Sequence, residues 1–260
     1  MRNHLLSPSF LFGIALVSLV VIAALFPGLL SPSSPDTFDL HARLTPPGSA
    51  HYLLGTDPLG RDMLTRIIYG SRIALTVGLL SVILTFAIGT IAGLVSGYYG
   101  GIIDALLMRL VDIQLSFPFI LFAITVIAVI GPGLWKVILI MAVTQWVQFA
   151  RIERGQVLSI KEVGFIILMH LLPNTLAPLI VLATLNIANN ILLEASLSFL
   201  GLGVSPNVPS WGGMIADGRN YLQSAWWVAT FPGFALAITV LGFNLLGDWL
   251  RDVLDPRSRK

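Results

Sequence analysis

The residue types able to carry proton or ion-pair chemistry are few in this chain of 260 residues, and their positions are unusual. Asp104, Arg109, Asp112, Glu194 and Asp248 lie in or beside long apolar stretches. A charge at the centre of a bilayer costs about 2.5–3.5 kcal/mol on insertion scales, so each needs a partner, an interfacial position or a place on a polar path. Asp104 and Arg109 are five residues apart and Arg109 and Asp112 three apart, close enough to pair on one helix face. Pairing near a helix end and a charge on a translocation path both fit. Amides mark another stretch: Asn174, Asn186, Asn189 and Asn190, the last three spaced i, i+3, i+4 on one face. Such a face serves helix packing through hydrogen bonds of about 0.6–2 kcal/mol each, and it serves a polar pore equally well.

Other chemistries find no residues. The chain has no cysteine, which removes disulfides, thiolate metal sites and a Cys nucleophile. His4, His41, His51 and His170 are far apart and form no ligand spacing. Ser, His and Asp occur at no spacing that nominates a triad. No catalytic residue, metal or cofactor is expected, and the chain does not read as an enzyme. A net charge of +2 without a long basic run gives no footprint for nucleic acid.

The elements that must position these groups are membrane helices. Apolar residues make up 56% of the chain and charged residues 11%, where a soluble domain carries about 25% charged. So few charges cannot cover a soluble globule, and the surplus apolar surface must face lipid. A hydrocarbon core of about 30 Å needs about 20 apolar residues. Six stretches meet that need: 10–30, 73–95, a third from about 103 that is clean over 113–130, 134–150, 171–193 and 226–247. The fourth is the most polar, with Lys136, Gln145 and Gln148. The first is too long for a secretory signal and has no cleavage site after it, so it reads as an uncleaved anchor. Cytoplasmic termini leave nine Lys and Arg residues inside and six outside, with the basic loop 151–161 and the C-terminal Arg257, Arg259 and Lys260 agreeing. No carboxylate is central in the first, second or sixth span, which counts against a proton-coupled carrier.

Between spans, residues 31–72 open Pro/Ser-rich and end in an amphipathic stretch, 63–72, suited to lying in the interface plane. Tyr98 and Tyr99 suit headgroup depth, and Trp211, Trp226 and Trp227 the outer interface. The densest constellation lies around the loop after the fourth span: Arg151, Arg154, Gly155, Lys161 and Glu162, then His170, Pro173 and Asn174. It could dock a soluble partner or be an ordinary basic inside loop.

The ordered blocks LLGTDPLGRDMLTRIIYGSRIAL (53–75), GYYGGIIDALLMRLVDIQLSFP (97–118), ARIERGQVLSIKE (150–162), HLLPNTLAPLIV (170–181), EASLSFLGLG (194–203), PSWGGMI (209–215) and NLLGDWLRDVLDPR (244–257) settle on one resemblance. The chain resembles the second permease subunit of bacterial ATP-binding-cassette importers of the dipeptide/oligopeptide/nickel group. That resemblance implies an all-α bundle of the type I importer fold in the inner membrane. It implies an anchor helix and extracytoplasmic segment over 1–72 and the permease domain over 73–260. It further implies a heterodimer with a second permease subunit, two cytoplasmic ATPase subunits and an extracytoplasmic solute-binding protein, with no cofactor on the permease itself. Arg151, Arg154, Gly155, Lys161, Glu162, His170, Pro173 and Asn174 would then receive the ATPase. Segments 53–62 and 196–225 would face the binding protein. Asn186, Asn189, Asn190 and Glu194 would line the pathway or pack helices.

One departure bears on coupling. Members of this family continue after Lys-Glu-x-x-Phe with an Ala-Ala-x-x-x-Gly core, the short helix that seats in the ATPase. Here Lys161-Glu162-Val163-Gly164-Phe165 passes straight to Ile166-Ile167-Leu168-Met169-His170, about a dozen residues short of that pattern. Residues 162–170 allow about 12 Å of helix at 1.5 Å rise, too little for a helix, a turn and a return. Weakened coupling is the expectation. A stand-alone ion-coupled carrier and an inactive degenerate subunit are the alternatives. ATP-free uptake and expression without transport are their respective signatures.

Overall fold

In a computed structural model the chain is described over residues 7–49, 51–161 and 171–254, with side chains of 160–175 left aside. Among these residues there are helices and turns and no strand. The helices are α1 (Pro8–Leu25), α2 (Pro27–Leu30), α3 (Met63–Tyr99), α4 (Gly101–Leu115), α5 (Phe119–Ile130), α6 (Leu134–Lys161), α7 (Leu171–Phe199), α8 (Trp211–Gly218) and α9 (Trp227–Leu254).

Four described helices are long and apolar enough to cross a membrane: α1, α3, α7 from Leu176, and α9. Taking α4 and α5 as one broken span makes five. The expected fourth span falls outside that group. It is part of α6, whose 28 residues have the length but also carry Gln145, Gln148, Arg151, Glu153 and Arg154. α6 packs more extensively against α3 than any other pair of helices pack together, so much of its surface meets protein rather than lipid.

Three expectations change in detail. The stretch 63–72 does not lie in the interface plane: it is the first part of α3, and Met63 and Arg66 within it are buried. A continuous 37-residue helix is possible because Asp62 caps it, accepting from the Thr65 amide at 3.0 Å, and no proline interrupts it before Tyr99. The third expected span is broken at Ser116-Phe117-Pro118, where α4 and α5 meet at 86°. Proline has no amide hydrogen to continue the ladder and pushes the residue before it out of helical geometry, so α4 ends there. Finally, of the three tryptophans expected at the outer interface, Trp211 and Trp227 are buried and Trp226 is exposed.

The paths of α3 and α6 are fixed by glycines at every fourth position of α3. A Cβ at Gly89 would lie 2.4 Å from the Phe149 Cβ, at Gly93 2.6 Å from the Ala150 carbonyl, and at Gly97 2.7 Å from the Val157 Cβ. The two helices therefore run parallel with their backbones in close approach, as small residues at this spacing permit. α1 lies antiparallel to α9 by similar means. Gly13 faces Leu245, Gly242 faces Val17, and the Phe10 and Trp249 rings stack with centroids 4.2 Å apart. One apolar core joins α1, α3, α7, α8 and α9, and a second joins α3, α5, α6 and α7. A smaller one ties α4 to α6 through Val111, Val147 and Ala150.

Candidate functional site

The Arg151–Lys161 segment, expected as a loop, is the last part of α6. Two arginines there cross to α4. Arg154 Nε and Nη2 donate to the two carboxylate oxygens of Asp104 at 2.5 and 2.7 Å, and the Ser96 hydroxyl also bonds Asp104. Arg151 Nη2 donates to Asp112 at 2.6 Å, an exposed pair. The carboxylates of α4 thus pair between helices and not with Arg109 on their own helix. The two-point contact of Arg154 fixes orientation as well as charge. α4 is a separate rod: Gly100 and Gly101 break it from α3 at φ 64° and 53°, and the elbow ends it. Two ion pairs tie it to the α6 tail.

Gly155 lies in this tail, exposed and with open space around it. Pro173 and Asn174 fall in the first turn of α7. Glu162 and His170, with the whole shortened stretch between them, lie outside the described residues, as does the side chain of Lys161.

The amide face of α7 does not stay together. Asn190 is buried and donates to the Ser81 hydroxyl of α3 at 2.7 Å, which is helix packing. Asn186 is buried and donates back to the Leu182 carbonyl of its own helix at 2.9 Å. Asn189 is exposed. Glu194 is buried and accepts from the Ser198 hydroxyl at 2.6 Å. Asn190 Oδ1, and Thr85 Oγ1 on α3, are buried without partners among the described residues.

At the far end of α3 from the α6 tail, Gly55-Thr56-Asp57-Pro58-Leu59-Gly60-Arg61-Asp62 is a closed turn. Asp57 is fully buried, and its Oδ1 accepts from the amides of Leu59 and Arg61 at 2.8 and 2.9 Å. Its Oδ2 takes Arg61 Nε and Arg66 Nη1, each at 2.5 Å. Asp217 of α8 stands farther off, at 3.6 Å from Arg61 and 3.9 Å from Arg66. Burial pushes the Asp217 carboxyl above its ordinary value, against the pull of Arg66 and Arg61. The indole of Trp227 donates to the Thr56 carbonyl at 3.1 Å, and that of Trp211 to the Ile67 carbonyl at 3.0 Å. Gly60 sits at φ 75°, and any Cβ there would meet the Asp39 carbonyl at 1.7 Å, so only glycine closes the turn. The motif is largely internal scaffolding, and the residue it presents outward, Leu59, is apolar.

Sequence reasoning missed Asp57 and Arg66 as a buried pair, although the turn residues around them were visible. It also missed the pairing of Asp104 and Asp112 with α6, since residues fifty and thirty-nine apart leave no local signal.

Comparison with known proteins agrees with this architecture. Residues 89–260 match the family described as binding-protein-dependent transport system inner membrane component. The chain is 42% identical over 260 residues to a dipeptide transport system permease protein of Alkalihalophilus pseudofirmus, covering 95% of this chain and 85% of that one. It is 40% identical over 265 residues to a di/tripeptide transport system permease protein of Pseudomonas aeruginosa, covering 95% and 88%. Among solved structures, a chain of the MetNI methionine ABC transporter matches with a TM-score of 0.56 at 20% identity, covering 74% of this chain and 98% of that one, a likeness of fold. The chain has the type I importer permease fold and belongs to the family of inner-membrane permease components of binding-protein-dependent ABC importers.

Proposed function

We propose that this chain is one of two permease subunits of an ATP-driven importer of short peptides, working with two cytoplasmic ATPase subunits and an extracytoplasmic solute-binding protein. The observation that carries the reading is near-full-length similarity, at 38–42% identity, to permeases named for dipeptides, D,D-dipeptides and di/tripeptides. Those names favour a peptide over nickel. The permease does no bond chemistry; it alternates access by rigid-body movement of packed helices.

The α6 tail supports a route for the force. ATPase contact at Arg151–Asn174 tilts the tail, and the Asp104–Arg154 and Asp112–Arg151 pairs carry that tilt to α4. Asn190 and Glu194 serve packing in this reading, and both chain termini are cytoplasmic. The short stretch after Phe165 weakens the ATPase contact without abolishing the fold.

The test is uptake of a labelled dipeptide by cells expressing the complete set of partners with this chain as its second permease. ATP-dependent uptake that excess nickel does not compete supports the reading. Inserting about a dozen residues with the Ala-Ala-x-x-x-Gly core between Phe165 and Ile166 then raises it. Uptake driven by an ion gradient without ATP, or a reporter at position 160 found outside the cell, overturns it.

A further inference from the structure

Two described helices carry a proline inside them, and the packing around the two differs. Pro232 of α9 is buried, with Trp227 and Val228 buried just before it. Pro178 of α7 is exposed. A proline inside a helix has no amide hydrogen for the carbonyl four residues back, here that of Asn174, and its ring crowds that carbonyl. Two more carbonyls of the same stretch are shared with side chains. Thr184 Oγ1 donates to the Ile180 carbonyl and Asn186 Nδ2 to the Leu182 carbonyl, each at 2.9 Å. Such back-bonding competes with the helix ladder and often bends it. Three weakened rungs of α7 thus follow one another.

Packing divides α7 at the same place. From 176 to 185 Leu179 alone is buried, whereas from Asn186 to Ser198 every run of three residues contains a buried one. That second half is clamped. A Cβ at Gly247 of α9 would lie 2.6 Å from Leu185, one at Gly78 of α3 2.9 Å from Ile191, and Asn190 is bonded to Ser81 of α3 at 2.7 Å. We propose that α7 is two rods joined by a hinge over Pro178–Thr184, so that the arm 171–177 swings while 185–199 stays fixed to α3 and α9. The hinge follows from the helix itself; its role in transport rests on the reading of the chain as an importer permease, in which Pro173 and Asn174 on the arm meet the ATPase. The arm then takes up ATPase movement by bending at a soft joint, and the Asn190 contact stays made throughout the cycle. Residue 172 is roughly 15 Å along the helix from the middle of the joint, and a bend of about 20° there moves it by about 5 Å.

The test uses the complete complex in lipid nanodiscs, with spin labels at Ile91 and Leu172 or at Ile91 and Leu192, and distances read by pulsed dipolar spectroscopy. Ile91 is exposed on α3 and Leu192 is exposed on the clamped half, so the second pair reports the fixed rod. The Ile91–Leu172 distances are expected to spread several ångströms more widely than the Ile91–Leu192 distances. Pro178→Ala, which restores the amide hydrogen and removes the ring, narrows the first spread and leaves the second unchanged. The same variant keeps or raises the thermal midpoint, so the fold is intact, yet it lowers dipeptide uptake severalfold; a proline that serves structure alone does not give that combination. Equal spreads in the two pairs, or an Ile91–Leu172 spread that Pro178→Ala leaves as it is, overturn the hinge. Narrowing with undiminished uptake overturns its role in transport. Uptake absent from the unsubstituted complex, with the spreads as expected, overturns the importer reading and leaves the hinge standing.

Discussion

Gly93 offers the sharpest test of how α3 and α6 meet. A Cβ placed there lies 2.6 Å from the Ala150 carbonyl oxygen and 2.6 Å from the Glu153 Cβ. Ordinary contact needs about 3.5–4.0 Å, so the shortfall is roughly 1 Å. Neither neighbour can turn aside, because one is backbone and the other is fixed to it. Gly93→Ala must therefore push the helices apart, at about 1–3 kcal/mol for overpacking. Alanine also favours a helix over glycine by about 1 kcal/mol, which works the other way. Gly155→Ala supplies the control: it lies in α6 with open space around it, so it has the propensity gain without the clash. The difference between the two variants isolates the steric part. At about 2–4 °C per kcal/mol for a chain of this size, Gly93→Ala should unfold about 2–12 °C below Gly155→Ala. Intrinsic tryptophan fluorescence of the purified permease pair, followed during heating, reads both midpoints. If the two coincide within a degree, the close approach of α3 and α6 is wrong. Gly155→Ala carries a second message, since it should hold stability while changing uptake if that position receives the ATPase.

Two further outcomes follow from the ion pairs. Asp57→Asn leaves the buried Arg61 and Arg66 guanidiniums without their shared carboxylate and should cost about 3–5 kcal/mol, as breaking a buried pair does; quantitative immunoblotting of membranes should show the chain strongly depleted, and normal abundance would contradict the described network. Asp104→Arg and Arg154→Asp should each lower dipeptide uptake severalfold, and combining them should restore at least half of it. A double variant no better than either single one would remove the link from the α6 tail to α4.

The legibility of this fold in its sequence depends on what each feature is built from. The membrane class follows from composition, and four of the expected spans return as long apolar helices because a run of apolar residues is a local property. Fusion of 63–72 into α3 was hidden, because an amphipathic stripe looks the same whether its apolar face meets lipid or a neighbouring helix. The Pro118 break was readable in principle, since the residues before a proline leave helical geometry, but the apolar run across it masked the signal. The spacing of Gly89, Gly93 and Gly97 was also on the page, and its four-residue period is a known mark of close helix contact. The site was less legible. The i, i+3, i+4 asparagines share a helix face, yet Asn189 is exposed while Asn186 and Asn190 are buried, because the edge between buried and exposed surface runs along that face. Asp104 and Asp112 had local partners on paper, and the cross-helix arginines won by offering better geometry.

The shortness of α5 has a consequence for the lone chain. Twelve residues reach only about 18 Å, so the two ends of that helix cannot both clear a hydrocarbon slab of about 30 Å. Whichever end stops short within the slab needs protein or water beside it to satisfy the backbone there. An orphan copy of this subunit is thus incompletely clothed on one flank. Cellular proteolysis should remove it quickly, and a sister subunit arriving to cover that flank would set its lifetime.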